Sequence, residues 1–119
     1  MEQKNTLVDA IVKGIQEKKG SGITIIDLRN VDGSIANYFV ICEGSSPTQV
    51  EAISGSVEEI ARIDAGEKPI KTIGLGNNEW VAMDYSDVLV HIFMPETRTF
   101  YNLEGLWEDA NLTQIEDLN

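Results

Sequence analysis

Residues 78–93, which read NEWVAMDYSDVLVHIF, bring together the residue types that most often perform acid–base or metal chemistry. Two aspartates, Asp84 and Asp87, precede His91, which is the only histidine of the chain. Carboxylates can hold a divalent cation, and a histidine can act as a general base or bind a metal. Beside Trp80 and Tyr85, the same side chains are also typical of a surface that binds another macromolecule. The elements that position these side chains decide between the two interpretations.

Charge and composition limit the classes of partner. The chain has 119 residues, of which 42% are hydrophobic and 24% charged, as expected of one soluble globular domain. Its net charge is −11, and residues 79–119 carry nine acids against a single base, Arg98. Such a field repels a phosphate backbone, which disfavours direct nucleic-acid binding, and it favours a basic partner.

The N-terminus and the lone cysteine indicate where the protein works. The first ten residues are polar and acidic, unlike a secretory signal, and no apolar run is long enough to span a membrane. A single cysteine, Cys42, excludes an intramolecular disulfide and a multi-thiolate zinc site. We therefore expect a cytoplasmic protein with no membrane association.

The pattern along the chain predicts the order helix, strand, strand, helix, strand, strand, strand, helix. The second helix has the clearest start, because Ser46 can cap it, Pro47 suits its first position and Gln49 can complete a capping box. A hairpin and a helical crossover together indicate an α/β (α+β) domain with one mixed five-stranded sheet and packed helices. The predicted domain spans residues 1–109, and residues 110–119 form an acidic tail that is frayed or weakly helical.

The segment DYSD suits a tight hairpin turn with Tyr85 and Ser86 at its tip. This register pairs Trp80 with His91 and Asp84 with Asp87. Side chains alternate along strands, so one face of the hairpin is wholly apolar and belongs to the core. That core face consists of Val81, Met83, Val88, Val90 and Ile92. The other face, which mixes aromatic, aliphatic and acidic groups, has no obvious burial partner and has the composition of an interface.

Two catalytic alternatives are weaker. The element order, with Gly44–Ser45 before a helix, resembles the nucleotidyltransferase fold, whose chemistry needs an Asp-x-Asp/Glu pair on a strand to hold Mg²⁺. The acids that follow Ser45 are Glu51 and Glu58, both on the predicted helix. A nucleophile–base pair of Cys42 and His91 is disfavoured because burial in an apolar strand leaves a thiol inert.

Binding of small ligands is disfavoured as well. One histidine with no cysteine nearby cannot supply the usual ligands of a metal, so His91 is expected to be a hydrogen-bonded strand residue. Free N–H groups at residues 44–46 could hold an anion, although most helix starts cap themselves. We predict no catalytic residue, no metal and no cofactor.

The order and spacing of four segments resemble the ribosomal silencing factor family, also called Iojap-like proteins. These segments are ANYFVICEGSS, QVEAI, EWVAMDYSDVLVHIF and RTFYNLEGLW. Together they cover about residues 23–109. The chain departs from the family pattern at Asn37, where Asp is usual, and at Ser86, where Gly is usual.

The resemblance implies a non-enzymatic protein with a fold similar to nucleotidyltransferases. It implies binding to the large ribosomal subunit through ribosomal protein number fourteen of that subunit, which blocks joining of the small subunit and represses translation when nutrients are scarce. The residues that it places in the partner-binding segments are Trp80, Met83, Asp84, Tyr85, Asp87, His91, Arg98 and Tyr101.

Some alternatives stay open in the sequence. Arg98 either contacts a partner or holds a local acid such as Glu96 or Asp87. The spacing of Phe100 and Trp107 favours core positions. The competing functions are a nucleotidyltransferase-fold enzyme acting on nucleoside triphosphates and an adaptor that forms a homodimer through its open sheet face or edge.

Overall fold

The computed structural model of the protein describes residues 6–107 and 110–117. Its elements in chain order are α1 (Thr6–Glu17), β1 (Ser21–Asp27), β2 (Tyr38–Glu43), α2 (Pro47–Ile60), a π-helical turn (Ala61–Ala65), β3 (Lys71–Ile73), β4 (Trp80–Asp84), β5 (Val88–Phe93), α3 (Pro95–Tyr101), α4 (Leu103–Leu106) and β6 (Asn111–Gln114).

The start of α2 confirms the predicted cap. Ser46 Oγ accepts a hydrogen bond from the Gln49 N–H at 3.1 Å, and the Gln49 Oε1 accepts from the N–H of Ser45 at 2.6 Å. The Gln49 side chain therefore completes the capping box on the N–H of Ser45, the residue before the cap, rather than on that of Ser46. The Gln49 Nε2 also donates to the carbonyls of Lys18 and Lys19, both at 3.1 Å, and this ties the end of α1 to the start of α2.

The sheet is mixed, as predicted, but it has six strands rather than five. Its order is β3-β4-β5-β2-β1-β6, with β2 and β5 parallel and the other neighbours antiparallel. The sixth strand, Asn111–Gln114, lies in the tail for which the sequence predicts fraying or weak helix, so that prediction is wrong. The tail pairs because the outer edge of β1 offers it backbone partners, and Asp117 Oδ1 accepts a hydrogen bond from the Gly22 N–H at 3.0 Å just beyond it.

Both faces of the sheet carry a hydrophobic cluster. Helices α1 and α2 cover the first face, which includes the whole predicted core face of the hairpin. The second face packs against the C-terminal helices and the loop after β1, with Phe39 and Phe93 buried at its centre and Leu103 and Trp107 lying over them. The prediction that this second face lacks a burial partner is wrong, because the chain after Pro95 folds back across part of it. Within the described residues, none of the helices is long and apolar enough to cross a membrane.

Candidate protein-binding surface

The β4–β5 hairpin has a register two residues away from the predicted one. Trp80 pairs with Phe93 and Asp84 with Leu89, and the Tyr85 N–H donates to the Val88 carbonyl at 2.9 Å, so the tip lies at Ser86 and Asp87. The Asp84 Oδ1 accepts a hydrogen bond from the Ser86 N–H at 2.7 Å, and Ser86 adopts a left-handed backbone with φ 73°. A shift of two preserves the sheet faces, so the predicted division into a core face and a second face is confirmed.

Met83 and Tyr85 lie on the core face and do not reach the surface. Met83 is fully buried, as predicted for the core face, whereas Tyr85 is 3% exposed, so the prediction that it stands at the loop tip is wrong. Tyr85 continues the alternation of β4 and packs under α2 instead of standing at the loop tip. Burial raises the pKa of Tyr85 to about 12.

His91 lies on the second face but is also buried, at 7% exposure. Its Nδ1 accepts a hydrogen bond from the indole Nε1 of Trp80 at 3.0 Å, as expected of a hydrogen-bonded strand residue. Burial lowers the pKa of His91 to about 4, which keeps the ring neutral. His91 belongs to the face for which the sequence predicts no burial partner, and that prediction is wrong for it, because the rings of Phe39 and Phe93 lie 5.0 and 6.1 Å from its own.

Cys42 and His91 do not form a catalytic pair. In the parallel register of β2 with β5, Cys42 lies opposite Ile92 and His91 opposite Ile41, so the two side chains point to opposite faces of the sheet. Burial also raises the pKa of the Cys42 thiol well above its usual range. Among the described residues, no group of three or more His, Cys, Asp or Glu is placed to hold a metal ion.

Arg98 connects α3 to the sheet through contacts inside the domain. Its guanidinium donates to the Gly22 carbonyl at 2.7 Å and to Thr24 Oγ1 at 3.2 Å, and it forms ion pairs with Glu43 at 3.1 Å and Glu104 at 2.8 Å. Only 12% of its side chain is exposed. The alternative that Arg98 holds an acid of its own chain is therefore confirmed, although the acids are Glu43 and Glu104 rather than Glu96 or Asp87. Helix α3 carries the guanidinium over β1 and β2, where it reaches Glu43, which is 55 positions away, while Glu104 is six positions along the chain.

An exposed aromatic surface remains, formed by Trp80, Phe100 and Tyr101. Trp80 is half-buried, with its ring 4.9 Å from Phe93 and 4.8 Å from Tyr101. Tyr101 is 49% exposed and Phe100 81% exposed, the two rings standing edge to face at 5.0 Å. The outward position of Phe100 contradicts its predicted core role, whereas Trp107 packs edge-on against Phe39 at 5.8 Å and confirms its own.

A small cleft of about 130 Å³ adjoins the aromatic surface, between β4, α3 and the loop after β3. Gly74 lines it together with Trp80, Thr97 and Tyr101. Thr97 and Tyr101 are one helical turn apart and both face the cleft, and this orientation of α3 directs Phe100 outward. Two residues that the sequence analysis did not single out, Ile73 and Leu75, flank Gly74 and are 53% and 51% exposed. The sequence feature that could have pointed to them is the apolar run IKTIGL, but the same run is also typical of a buried strand.

The acids of the hairpin lie at its loop end. Asp87 is exposed and Asp84 is half-buried. The Cα of Asp84 lies opposite that of Lys71 on the neighbouring strand β3. The start of α2 caps itself, as expected, because Gln49 already occupies the N–H of Ser45. Of the residues predicted to bind a partner, the structure leaves Trp80, Tyr101, Asp84 and Asp87 accessible in whole or in part.

Comparison with known proteins gives the family. The model of the family described as "Ribosomal silencing factor during starvation" matches residues 1–119. The "Ribosomal silencing factor RsfS" of Bacillus subtilis is 35% identical over 98% of this chain and 96% of that protein, and "Protein Iojap, chloroplastic" of Zea mays is 34% identical over 90% of this chain and 45% of that protein.

Solved structures agree. A Chromobacterium violaceum protein matches with a TM-score of 0.79 and 28% identity over 86% of this chain and 83% of its own. A Bacillus halodurans protein matches with a TM-score of 0.75 and 29% identity over 92% of this chain and 96% of its own. With a full-length family match and relatives this similar over nearly the whole chain, the protein belongs to the ribosomal silencing factor (RsfS, Iojap-like) family.

Proposed function

We propose that this protein binds the large ribosomal subunit through ribosomal protein number fourteen and blocks joining of the small subunit by occupying the face where that subunit docks. Translation then falls without any covalent chemistry. Family membership supports the ribosomal role. The observation that carries the docking mechanism is the exposed aromatic surface of Trp80, Phe100 and Tyr101.

The aromatic surface has the properties of an interface centre. Specific interfaces bury roughly 800 Å² on each partner and concentrate their energy in a few aromatic or arginine anchors. Here Phe100 is 81% exposed, so a partner that covers it would remove an apolar ring from water, which is favourable. Tyr101, Ile73 and Leu75 extend the same apolar area, and Trp80 supports it from below.

The charge of the protein supports a basic partner. Glu79 is exposed beside the cleft, Asp84 and Asp87 lie at the loop end of the same hairpin, and the whole chain carries a net charge of −11. Charge complementarity of this kind accelerates encounter and selects the partner. A basic ribosomal protein fits the surface, whereas bare ribosomal RNA would be repelled.

A catalytic role has no comparable support. Glu51 and Glu58 lie at exposed positions of α2 rather than on a strand beside Ser45, so they do not form the paired carboxylates that nucleotidyl transfer requires.

The decisive experiment mixes purified subunits with this protein and follows formation of the joined ribosome by light scattering and sucrose gradients. We expect joining to fall as the protein saturates the large subunit, and unchanged joining at saturation refutes the mechanism. Isothermal titration with isolated ribosomal protein number fourteen tests the partner separately.

Variants locate the surface. Phe100→Ala and Tyr101→Ala should each weaken large-subunit binding by about 1–2 kcal/mol without loss of folding. The matched control is Ile63→Ala, which truncates another exposed hydrophobic residue, 62% exposed, on the π-helical turn at the other side of the sheet. Equal effects of all three variants would place the interface elsewhere.

A further inference from the structure

We propose that His91 is a positioning residue for the docking surface: it holds the indole of Trp80 in the orientation that supports Tyr101. This inference rests on the proposed function, because it concerns the same surface. It assigns a role to a buried residue that touches no partner.

The contacts of Trp80 define this orientation. Its indole Nε1 donates to His91 Nδ1 at 3.0 Å, while its ring centroid lies 4.9 Å from that of Phe93 and 4.8 Å from that of Tyr101. Stacking alone lets an indole slide or flip between its neighbours, whereas one directional hydrogen bond distinguishes the edges of the ring. His91 therefore selects which face of Trp80 lies beneath Tyr101.

The second nitrogen of His91 provides an independent argument. When Nδ1 accepts a hydrogen bond, the proton of the neutral ring lies on Nε2, and Nε2 is buried with no hydrogen-bond partner among the described residues. An unpaired buried donor is unfavourable, so an aliphatic residue would fill this part of the core at a lower cost. A histidine here makes sense through the acceptor that it offers to Trp80.

Loss of that acceptor has a defined consequence. Without His91, the indole N–H is left in the core beside Phe93 with no acceptor, and the ring gains by rotating until the N–H reaches water. Rotation removes the contact that supports Tyr101. The docking surface then changes shape although none of its exposed residues has been altered.

The hydrogen bond can be tested without the ribosome. The chain has two tryptophans, so the indole signal of Trp80 is identified by its loss in Trp80→Phe. We expect a scalar coupling between Trp80 Nε1 and His91 Nδ1 in the wild type. We also expect at least tenfold faster exchange of this indole proton with solvent in His91→Leu than in the wild type or His91→Asn, whose Oδ1 stands where Nδ1 was.

Binding to purified large subunits tests the role. His91→Leu should lower the affinity about tenfold, and His91→Asn should bind within about threefold of the wild type. Trp80→Phe removes the donor, so adding His91→Leu to it should have no further effect. Thermal unfolding of each variant identifies any that fails to fold. If His91→Leu alone is unstable, the comparison of Trp80→Phe with the double variant Trp80→Phe and His91→Leu still tests the role.

Three results would overturn the inference: wild-type affinity in His91→Leu, no rescue by His91→Asn, or the same tenfold loss in the Trp80→Phe background. If the wild type itself does not bind large subunits, the proposed function fails and the positioning role fails with it. The scalar coupling distinguishes this case, because an intact Trp80–His91 hydrogen bond then shows that docking rather than geometry is at fault.

Discussion

Arg98 offers the sharpest test of how the structure differs from the sequence-based interpretation, because replacing it should reduce stability through contacts inside the domain. Its guanidinium joins α3 to the sheet by donating to the Gly22 carbonyl and Thr24 Oγ1 and by pairing with Glu43 and Glu104. Arg98→Ala removes all of these contacts at once. It also leaves the two carboxylates without a cation.

The magnitude follows from the burial of the three charges. Removing one partner of a fully buried ion pair costs about 3–5 kcal/mol. Here the side chain of Arg98 is 12% exposed, but those of Glu43 and Glu104 are 26% and 25% exposed, so water screens part of the loss. We expect Arg98→Ala to lower the free energy of unfolding by about 2–4 kcal/mol. Arg98→Lys should lower it by about 1–2 kcal/mol, because one ammonium group cannot reproduce the planar fork that reaches both acids.

Urea unfolding monitored by circular dichroism measures these differences. Arg62→Ala is the matched control, since Arg62 is exposed on the π-helical turn and should change stability by less than about 0.5 kcal/mol. A change as small as the control's in Arg98→Ala would contradict the tie between α3 and the sheet. Arg98→Lys as destabilised as Arg98→Ala would show that the forked geometry rather than the charge holds the helix.

Two further predictions concern packing and pH. Gly14→Ala should lower the free energy of unfolding by about 1–3 kcal/mol in thermal or urea unfolding, because the new Cβ would lie 2.8 Å from the Cα of Val57. The control is Gly55→Ala on α2, whose Cβ would meet nothing within 4 Å and which should leave stability unchanged or raise it by up to about 1 kcal/mol. Equal losses in the two variants would contradict the close contact between α1 and α2. The pKa of His91 is about 4 in the folded protein against an ordinary 6.5, so as the pH falls the unfolded chain takes up a proton before the folded protein does. The stability that comes from keeping His91 neutral is therefore complete above pH 6.5 and is lost as the pH falls toward 4, by at most about 1.4 kcal/mol per pH unit. Urea unfolding between these pH values should therefore show a steeper decline for the wild type than for His91→Asn, and parallel curves would contradict the buried neutral ring.

Local features were predictable because short-range chemistry specifies them. The cap at Ser46, the alternation along β4 and β5, and the buried inert Cys42 each follow from residues close together in the chain. The mixed sheet followed from combining a hairpin with a helical crossover. The helical spacing of Trp107 likewise predicted its packing in the core.

The misplaced features depend on long-range contacts. Closing the hairpin on Asp84 and Asp87 or on Tyr85 and Val88 gives the same sheet faces, so alternation along the strands could not distinguish the two registers. The ion pair of Arg98 with Glu43 spans 55 positions, beyond the reach of any local pattern. Residues 111–114 form a strand because β1 presents an unpaired edge to them, although the sequence predicts fraying or weak helix there.

The sequence by itself determined the order of the elements from α1 to α3, the apolar face of the hairpin, the acidic character of the C-terminal third and the segments typical of the family. Tertiary structure decided which members of the hairpin reach water. Alternation assigns a side chain to a face of the sheet, but exposure depends on what covers that face, and the return of α3 buries His91 beneath Trp80 while leaving Phe100 and Tyr101 outside.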